Sequence, residues 1–319
     1  MTPDQQTLAA RTLRVPLPEW QAIVREVEGR TGAERLACLE RAFARRRPRE
    51  AIPAGAAAAT CPACAGNCEP FMVASPALVY GRCTRCGHGL LLSGGRADDV
   101  YAGEAYFRVK TADGVGYDDC ASEREYRTAK GRRLVETMMA EHGARPKRLL
   151  EVGCGLGFTL AAASRLGLDT FGVDVNPAAR ATFTGTLAGA LARGAAPMSD
   201  LVLYQFVLEH VPDVVAELRA VAAALTATGL AAFIVPSMEA TEIDVFGGAY
   251  RSFRADHLHL FTARSITRLC EHARLRVTRI ESTCNLHLLA AALNADELEQ
   301  LYRSGRGPDL TVHVRRTHA

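Results

Sequence analysis

Leu149-Leu-Glu-Val-Gly-Cys-Gly-Leu-Gly-Phe158 decides how the rest of the chain is read. Two apolar residues and a carboxylate end a buried strand. Three glycines at alternate positions make a tight turn, and Phe158-Thr-Leu-Ala-Ala-Ala-Ser starts a helix. Glycines at 153, 155 and 157 allow positive φ and carry no Cβ, so a ligand is expected to lie directly on the backbone amides.

The ligand is chosen by what stands around the glycines. A dinucleotide loop spaces them G-x-G-x-x-G to admit a pyrophosphate. Here the order is E-x-G-x-G-x-G, with Glu151 at the mouth. A carboxylate there repels phosphate and suits an ammonium group. The next strand, Thr170-Phe-Gly-Val-Asp174, ends in an acid at the place where such folds hold a ribose diol. Ammonium, ribose and sulfonium together describe S-adenosylmethionine.

At these residues the chain resembles the class I S-adenosylmethionine-dependent methyltransferases. The resemblance runs through LLEVGCGLGF at 149–158, FGVDVNP at 171–177, SDLVLYQFVLEHVPD at 199–213 and LAAFIVPS at 230–237. One glycine loop is weak evidence, whereas four segments in the right order are specific. The VLEHVPD element and the later DHLHLF resemble small-molecule members that carry an N-terminal zinc module, sugar C-methyltransferases of natural-product pathways among them. No large second lobe follows the last strand, a departure that weakens sugar as the substrate. The resemblance implies an α/β fold: a Rossmann-like, mostly parallel sheet whose last strand returns antiparallel between its neighbours, with a small N-terminal zinc-binding module. It also implies a tyrosine-bearing segment closing over the cofactor, for which Tyr106 and Tyr117 are the candidates. In many members an acidic or amide side chain contacts adenine; residues 184–199 offer none, so backbone and apolar groups are expected there.

Cys61-Pro-Ala-Cys64 and Cys83-Thr-Arg-Cys86-Gly-His88 form the second strong signal. Two C-x₂-C pairs at this separation read as a zinc ribbon whose knuckles meet over one ion. Four thiolates, Cys61, Cys64, Cys83 and Cys86, close the tetrahedron and leave no place for water, so the zinc is expected to be structural. Cys68 and His88 are the substitute ligands. Phe71-Met-Val and Ala77-Leu-Val-Tyr80 read as the ribbon's strands.

Residues 1–58 read as a helical segment and linker, 59–98 as the ribbon, 99–124 as a connecting lid and 125–319 as the methyltransferase domain. Trp20, Ile23, Val24 and Val27 make one apolar helical stripe, and Leu36, Leu39, Ala42 and Phe43 another. Arg45-Arg-Arg-Pro-Arg49 reads as a solvated helix end rather than a nucleic-acid contact. In the core, strands are expected near 148–152, 170–174, 200–205 and 230–235, with helices near 157–166, 177–186 and 213–226. A further strand near 275–282, a polar helix near 295–302 and a closing strand at 310–316 follow.

Beyond the loop, Gln205 directly follows a strand and is assigned to the cofactor. His210 resembles the histidine of the family's L-E-H element. His257 and His259 stand at alternate positions of a segment read as extended, so they are expected to share a face. Three readings stay open for them: a metal pair lacking a third ligand, an acceptor pocket in which one is a general base, and a purely structural role. As bases the order is His257, His259, His210. Tyr250, Arg251 and Phe253 lie on the same connection.

A net charge of +3 is too mild to imply nucleic acid by itself, and no apolar run approaches a membrane span. No secretory signal is visible, so a cytoplasmic setting is expected, in which the ten cysteines serve metal or packing. The expected function is methyl transfer to an O, N or C atom of a small-molecule acceptor in bacterial specialised metabolism. The competing readings are an RNA methyltransferase gripping phosphate through ribbon and arginines, and a non-catalytic scaffold. The sequence leaves the oligomeric state open.

Overall fold

The computed structural model describes residues 2–74, 78–94, 101, 103–110, 116–117, 119–283 and 288–317. Ala77 of the expected ribbon strand, and residues 95–100 across the expected 98/99 boundary, lie outside the described residues.

Helices α1 (Pro3–Thr12), α2 (Leu17–Val27) and α3 (Gly32–Arg46) open the chain. Four strands follow: β1 (Ala59–Thr60), β2 (Asn67–Ala74), β3 (Leu78–Cys83) and β4 (Gly89–Ser93). After α4 (Ala105–Arg108) and α5 (Arg124–His142) comes the alternating part: β5 (Arg148–Val152), α6 (Phe158–Arg165), β6 (Asp169–Asp174), β7 (Phe183–Thr184), α7 (Leu187–Ala192), β8 (Ser199–Gln205), α8 (Val214–Ala224) and β9 (Leu225–Pro236). The chain closes with α9 (Thr241–Phe246), β10 (His259–Leu260), α10 (Ala263–His272), β11 (Leu275–Thr283), α11 (Ala295–Arg303) and β12 (Asp309–Arg316).

Packing divides the chain into two interleaved units. One comprises Met1–Gly95, Pro236–Thr262 and Glu281–Leu310; the other comprises Arg96–Val235, Ala263–Ile280 and Thr311–Ala319.

In the first unit the predicted stripes of α2 and α3 are buried together with Phe246, Leu288 and Leu289. Trp20 and Phe43 both set their rings edge-on to Phe246. Truncating a fully buried aromatic of this kind costs about 3–5 kcal/mol, so the N-terminal helices are part of the unit's core. The cations at the end of α3 are paired: Arg45 and Arg46 with Glu26, Arg47 with Glu19 at 3.2 Å. Arg49 donates to the Asp244 carbonyl at 3.1 Å. The ribbon strands pair antiparallel in the order β1-β2-β3-β4, and β10 joins the same sheet through Leu90 opposite His259.

The second unit carries a seven-stranded sheet in the order β11-β12-β9-β8-β5-β6-β7, whose pairs from β9 to β7 are parallel. The expected strand positions are met, and β12 lies between its neighbours β11 and β9 as the resemblance implied. Val135 and Met138 of α5 and Leu160 of α6 pack with Leu149, Leu201 and Leu230 of the sheet. The helix expected near 177–186 does not form. Asn176 Oδ1 accepts from the Ala178 amide at 2.8 Å, and the amides of Arg180 and Thr182 donate to Gly155 and Gly172 carbonyls. Those bonds hold the chain against the glycine loop, and the helix starts later, at Leu187, where the Thr186 hydroxyl accepts from the Gly189 amide.

Among the described residues no helix is long and apolar enough to cross a membrane.

Candidate functional site

β5 delivers Glu151 to the sheet's carboxyl edge, and the next residues turn sharply: φ is 70° at Gly153, 50° at Gly155 and 74° at Gly157. The turn is spent on itself. The Gly153 amide donates to the Val173 carbonyl at 2.8 Å, Gly155 to Asp174 Oδ2 at 2.8 Å, and Gly157 to the Cys154 carbonyl at 2.9 Å. The expectation that a ligand rests on these amides is therefore corrected. What the glycines offer is an absence of Cβ, and a pyrophosphate would find the three donors already engaged.

Asp174 braces the turn. Its other oxygen accepts from the Asn176 amide at 2.8 Å. Burial pushes its carboxyl up from the ordinary range, opposed by those two backbone donors. Each oxygen retains a lone pair for a hydroxyl.

Glu151 is 3% exposed. One oxygen accepts from Gln205 Nε2 at 2.8 Å, and Gln205 also meets Thr159 Oγ1 at 2.9 Å. The second oxygen, Oε2, is buried without a hydrogen-bond partner. Burial is the main reason its carboxyl is pushed up to about 8; Gln205 and Thr159 oppose the shift and the Asp174 charge adds to it. An orphaned buried carboxylate oxygen beside a Cβ-free turn fits the ammonium end expected of S-adenosylmethionine.

Tyrosines cluster in the same unit. Tyr106 packs edge-on to Tyr101, Phe107 and Tyr117, with centroids 5.3, 5.3 and 5.5 Å apart. The Arg127 guanidinium lies 4.6 Å over Tyr117. A Cβ on Gly155 would meet the Phe107 ring at 3.4 Å, and Asn176 Nδ2 donates to the Gly103 carbonyl at 3.0 Å. Residues 103–107 thus touch the turn and the end of β6. His210, in the turn after β8, meets the Tyr101 hydroxyl through Nδ1 at 2.7 Å.

The other two predicted histidines belong to the first unit and meet different partners. Residues 251–256 turn rather than extend, so His257 brings Nδ1 to the Ser252 carbonyl at 2.9 Å while His259 faces His88 at 3.1 Å. The expected shared face is corrected: alternation holds only within a strand, and β10 begins at His259.

The thiols do converge. Sγ atoms of Cys61 and Cys86 are 3.6 Å apart, and Cys64 is 3.5 Å from both Cys83 and Cys86. A tetrahedron with Zn–S bonds of about 2.3 Å needs S···S separations of about 3.8 Å, so these four residues fit a metal ion. The two knuckles are wired alike. Cys61 and Cys83 amides donate to Gly66 and His88 carbonyls, both at 2.8 Å, and Ala65 and Gly87 take positive φ at matching places. Burial works against ionising Cys83, yet backbone donors from Cys86 and Arg85 bring its thiol down to about 6. His88 lies outside this group, against His259, and Cys68 sits opposite Cys83 across β2 and β3.

Sequence reasoning missed Thr159 and Asn176; Tyr101 and Phe107 belong to the aromatic run read as a cover. Asn176 carries a signal, since Asp-x-Asn-Pro is turn-forming. Thr159 has only its place in the first turn of a helix behind the glycines.

A family model described as a methyltransferase domain matches residues 123–280. No curated protein matches the chain. Among solved structures, the plantazolicin methyltransferase BpumL with SAH is 12% identical, with 61% of this chain and 86% of that one covered and a TM-score of 0.42. A SAM-dependent methyltransferase from Archaeoglobus fulgidus is 17% identical, with 60% and 94% covered and a TM-score of 0.45. The mitomycin 7-O-methyltransferase MmcR is 19% identical, with 60% and 58% covered and a TM-score of 0.37. Because the family match runs from α5 into β11 and takes in the whole glycine turn and its two acids, residues 123–280 are an S-adenosylmethionine-dependent methyltransferase domain.

Proposed function

We propose that the chain methylates an O, N or C atom of a small molecule in specialised metabolism, in a cytoplasmic setting that keeps its thiols reduced. The observation that carries the cofactor site is the buried, unpartnered Oε2 of Glu151 beside three glycines. In this reading Glu151 holds the ammonium and Asp174 the ribose hydroxyls. Gly153, Gly155 and Gly157 leave room along the turn, Gln205 orients Glu151, and Tyr106 and Tyr117 belong to the cover. When bound, the sulfonium supplies an activated methyl carbon; the protein's task is to orient the acceptor and exclude water.

Support for the three histidines as proton carriers is uneven. His210 shares a unit with the turn, and the Tyr101 hydroxyl at Nδ1 restrains its ring. His257 has its ring oriented by a carbonyl, which suits a base for a hydroxyl or acidic C–H acceptor. His259, buried against His88, supports a structural role. Four converging thiols support a structural zinc. The pairing of Arg45, Arg46 and Arg47 with Glu26 and Glu19 argues against these arginines as a phosphate grip.

The test has two parts. Calorimetry with S-adenosylmethionine should show binding at one site, weakened in Glu151→Ala and Asp174→Ala; wild-type affinity in both variants overturns the pocket. Incubation with methyl-labelled cofactor and cell extract should label a small molecule whether or not ribonuclease is added. Label lost with ribonuclease would identify an RNA acceptor instead, and binding without any transfer would identify a scaffold.

A further inference from the structure

The ribbon and the segment after β9 share one core. Met72 and Ala74 of β2 and Leu78 and Tyr80 of β3 are buried with Met238, Ile243, Tyr250, Phe253, Ala255 and Leu260. The sheet itself runs on from the ribbon into this segment. β4 pairs with β10, the Leu91 amide donates to the Leu258 carbonyl at 2.9 Å, and Thr262 Oγ1 donates to the carbonyl of the cysteine Cys86 at 2.8 Å. A Cβ on Gly87, in the second knuckle, would meet Thr262 Cγ2 at 3.0 Å.

Tyr80 is the centre of this connection. It is fully buried and lies three residues before Cys83 on the strand that leads into the second knuckle. Its ring packs 4.7 Å from Phe253, and its hydroxyl accepts from the Arg254 amide at 3.2 Å. The same hydroxyl reaches the carbonyls of Arg254 at 2.6 Å and His257 at 2.7 Å, which share its single proton. Burial holds the phenol far above its ordinary value, with the Asp256 charge adding to it, so Tyr80 stays a donor at any working pH. Without that hydroxyl, the His257 carbonyl and the Arg254 amide each lose a hydrogen bond, and the Arg254 carbonyl keeps the His257 amide at 3.2 Å.

We propose that the metal held by Cys61, Cys64, Cys83 and Cys86 organises residues 254–262, and that Tyr80 is the positioning residue through which the ribbon sets the backbone of His257. The ribbon is then a scaffold for residues 254–262 rather than a separate interaction module. The consequence for catalysis rests on the methyltransferase reading of His257, but the structural link does not.

The experiment is hydrogen exchange on the full-length protein, metal-loaded and chelator-stripped, with S-adenosylmethionine affinity measured on the same samples. On stripping, amides of 78–83, 89–93 and 254–262 should lose protection together, while cofactor affinity changes by less than about threefold, because Glu151 and Asp174 belong to the other unit. Protection kept at 254–262 while the ribbon strands open would overturn the proposal. Should stripping unfold the whole unit, Tyr80→Phe decides. It should keep its metal and speed exchange at the Arg254 and His257 amides about tenfold, the loss expected for one buried hydrogen bond. Unchanged exchange in that variant overturns the role of Tyr80. A loaded protein that fails to bind S-adenosylmethionine refutes the cofactor reading alone and leaves the exchange result to judge the scaffold.

Discussion

Glu151 shares one carboxylate oxygen with Gln205 at 2.8 Å and keeps the other buried with no partner. The price of that arrangement is a carboxyl raised from 4.5 to about 8. Between those values the unfolded chain is ionised at this position while the folded chain holds a proton. Stability should therefore fall as pH rises from about 4.5 to about 8 and level off above. Glu242, also buried and raised to about 8, adds a slope of the same sign. Thermal melts across this range should show the fall, and Glu151→Gln should remove only its own part.

The same proton couples to the ligand. A cation on Oε2 expels it, so affinity for S-adenosylmethionine should strengthen as pH rises toward 8. At pH 7 calorimetry in buffers of different ionisation heat should report proton release from wild type and none from Glu151→Gln. Affinity independent of pH would place the ammonium elsewhere.

Asp174 serves the fold as well as the ligand, since Gly155 and Asn176 amides both rely on it. Asp174→Ala should cost about 1–3 kcal/mol in denaturant unfolding, along with cofactor affinity. Affinity lost at unchanged stability would show that the carboxylate braces nothing.

Gly153 has a closer neighbour than its φ alone would suggest. A Cβ there would stand 2.3 Å from Val207 Cγ2. Gly153→Ala should lose about 1–2 kcal/mol for the left-handed backbone and about 1–3 kcal/mol for overpacking. Adding Val207→Ala should return the second part and leave the first, as chemical denaturation of the double variant would show.

Arg251 reaches both oxygens of Asp309, at 2.5 and 2.6 Å, and Asp309 is fully buried. Arg251→Met removes that cation from beside Asp309 and the buried Glu242 and should destabilise the chain by about 3–5 kcal/mol. Asp309→Asn in the same background should recover part of the loss. Equal melting of single and double variants would mean the pair is idle.

Much of the site was legible because it depends on local chemistry. The E-x-G-x-G-x-G turn, the acid ending β6 and the paired C-x₂-C knuckles each write their geometry into a few neighbouring residues. The failures came where distant groups decide. Ala-rich residues after Pro177 have helical propensity, but Gly155 and Gly172 carbonyls claim the Arg180 and Thr182 amides. Strand alternation predicts one face for His257 and His259, but β10 begins only at His259, after the turn at 255–256. Nothing in sequence spacing announces that Tyr80 and Phe253 are neighbours, or that Tyr101 finds His210.

The core that β2 and β3 share with residues 238–260 bears on any attempt to shorten this protein. A fragment begun near residue 123, where the family match starts, would strip the cover from Tyr250, Phe253 and Leu260 and expose their rings and methyl groups to water. Such a deletion should yield inclusion bodies rather than a minimal enzyme. A chimera that grafts another ribbon would have to import the facing residues with it.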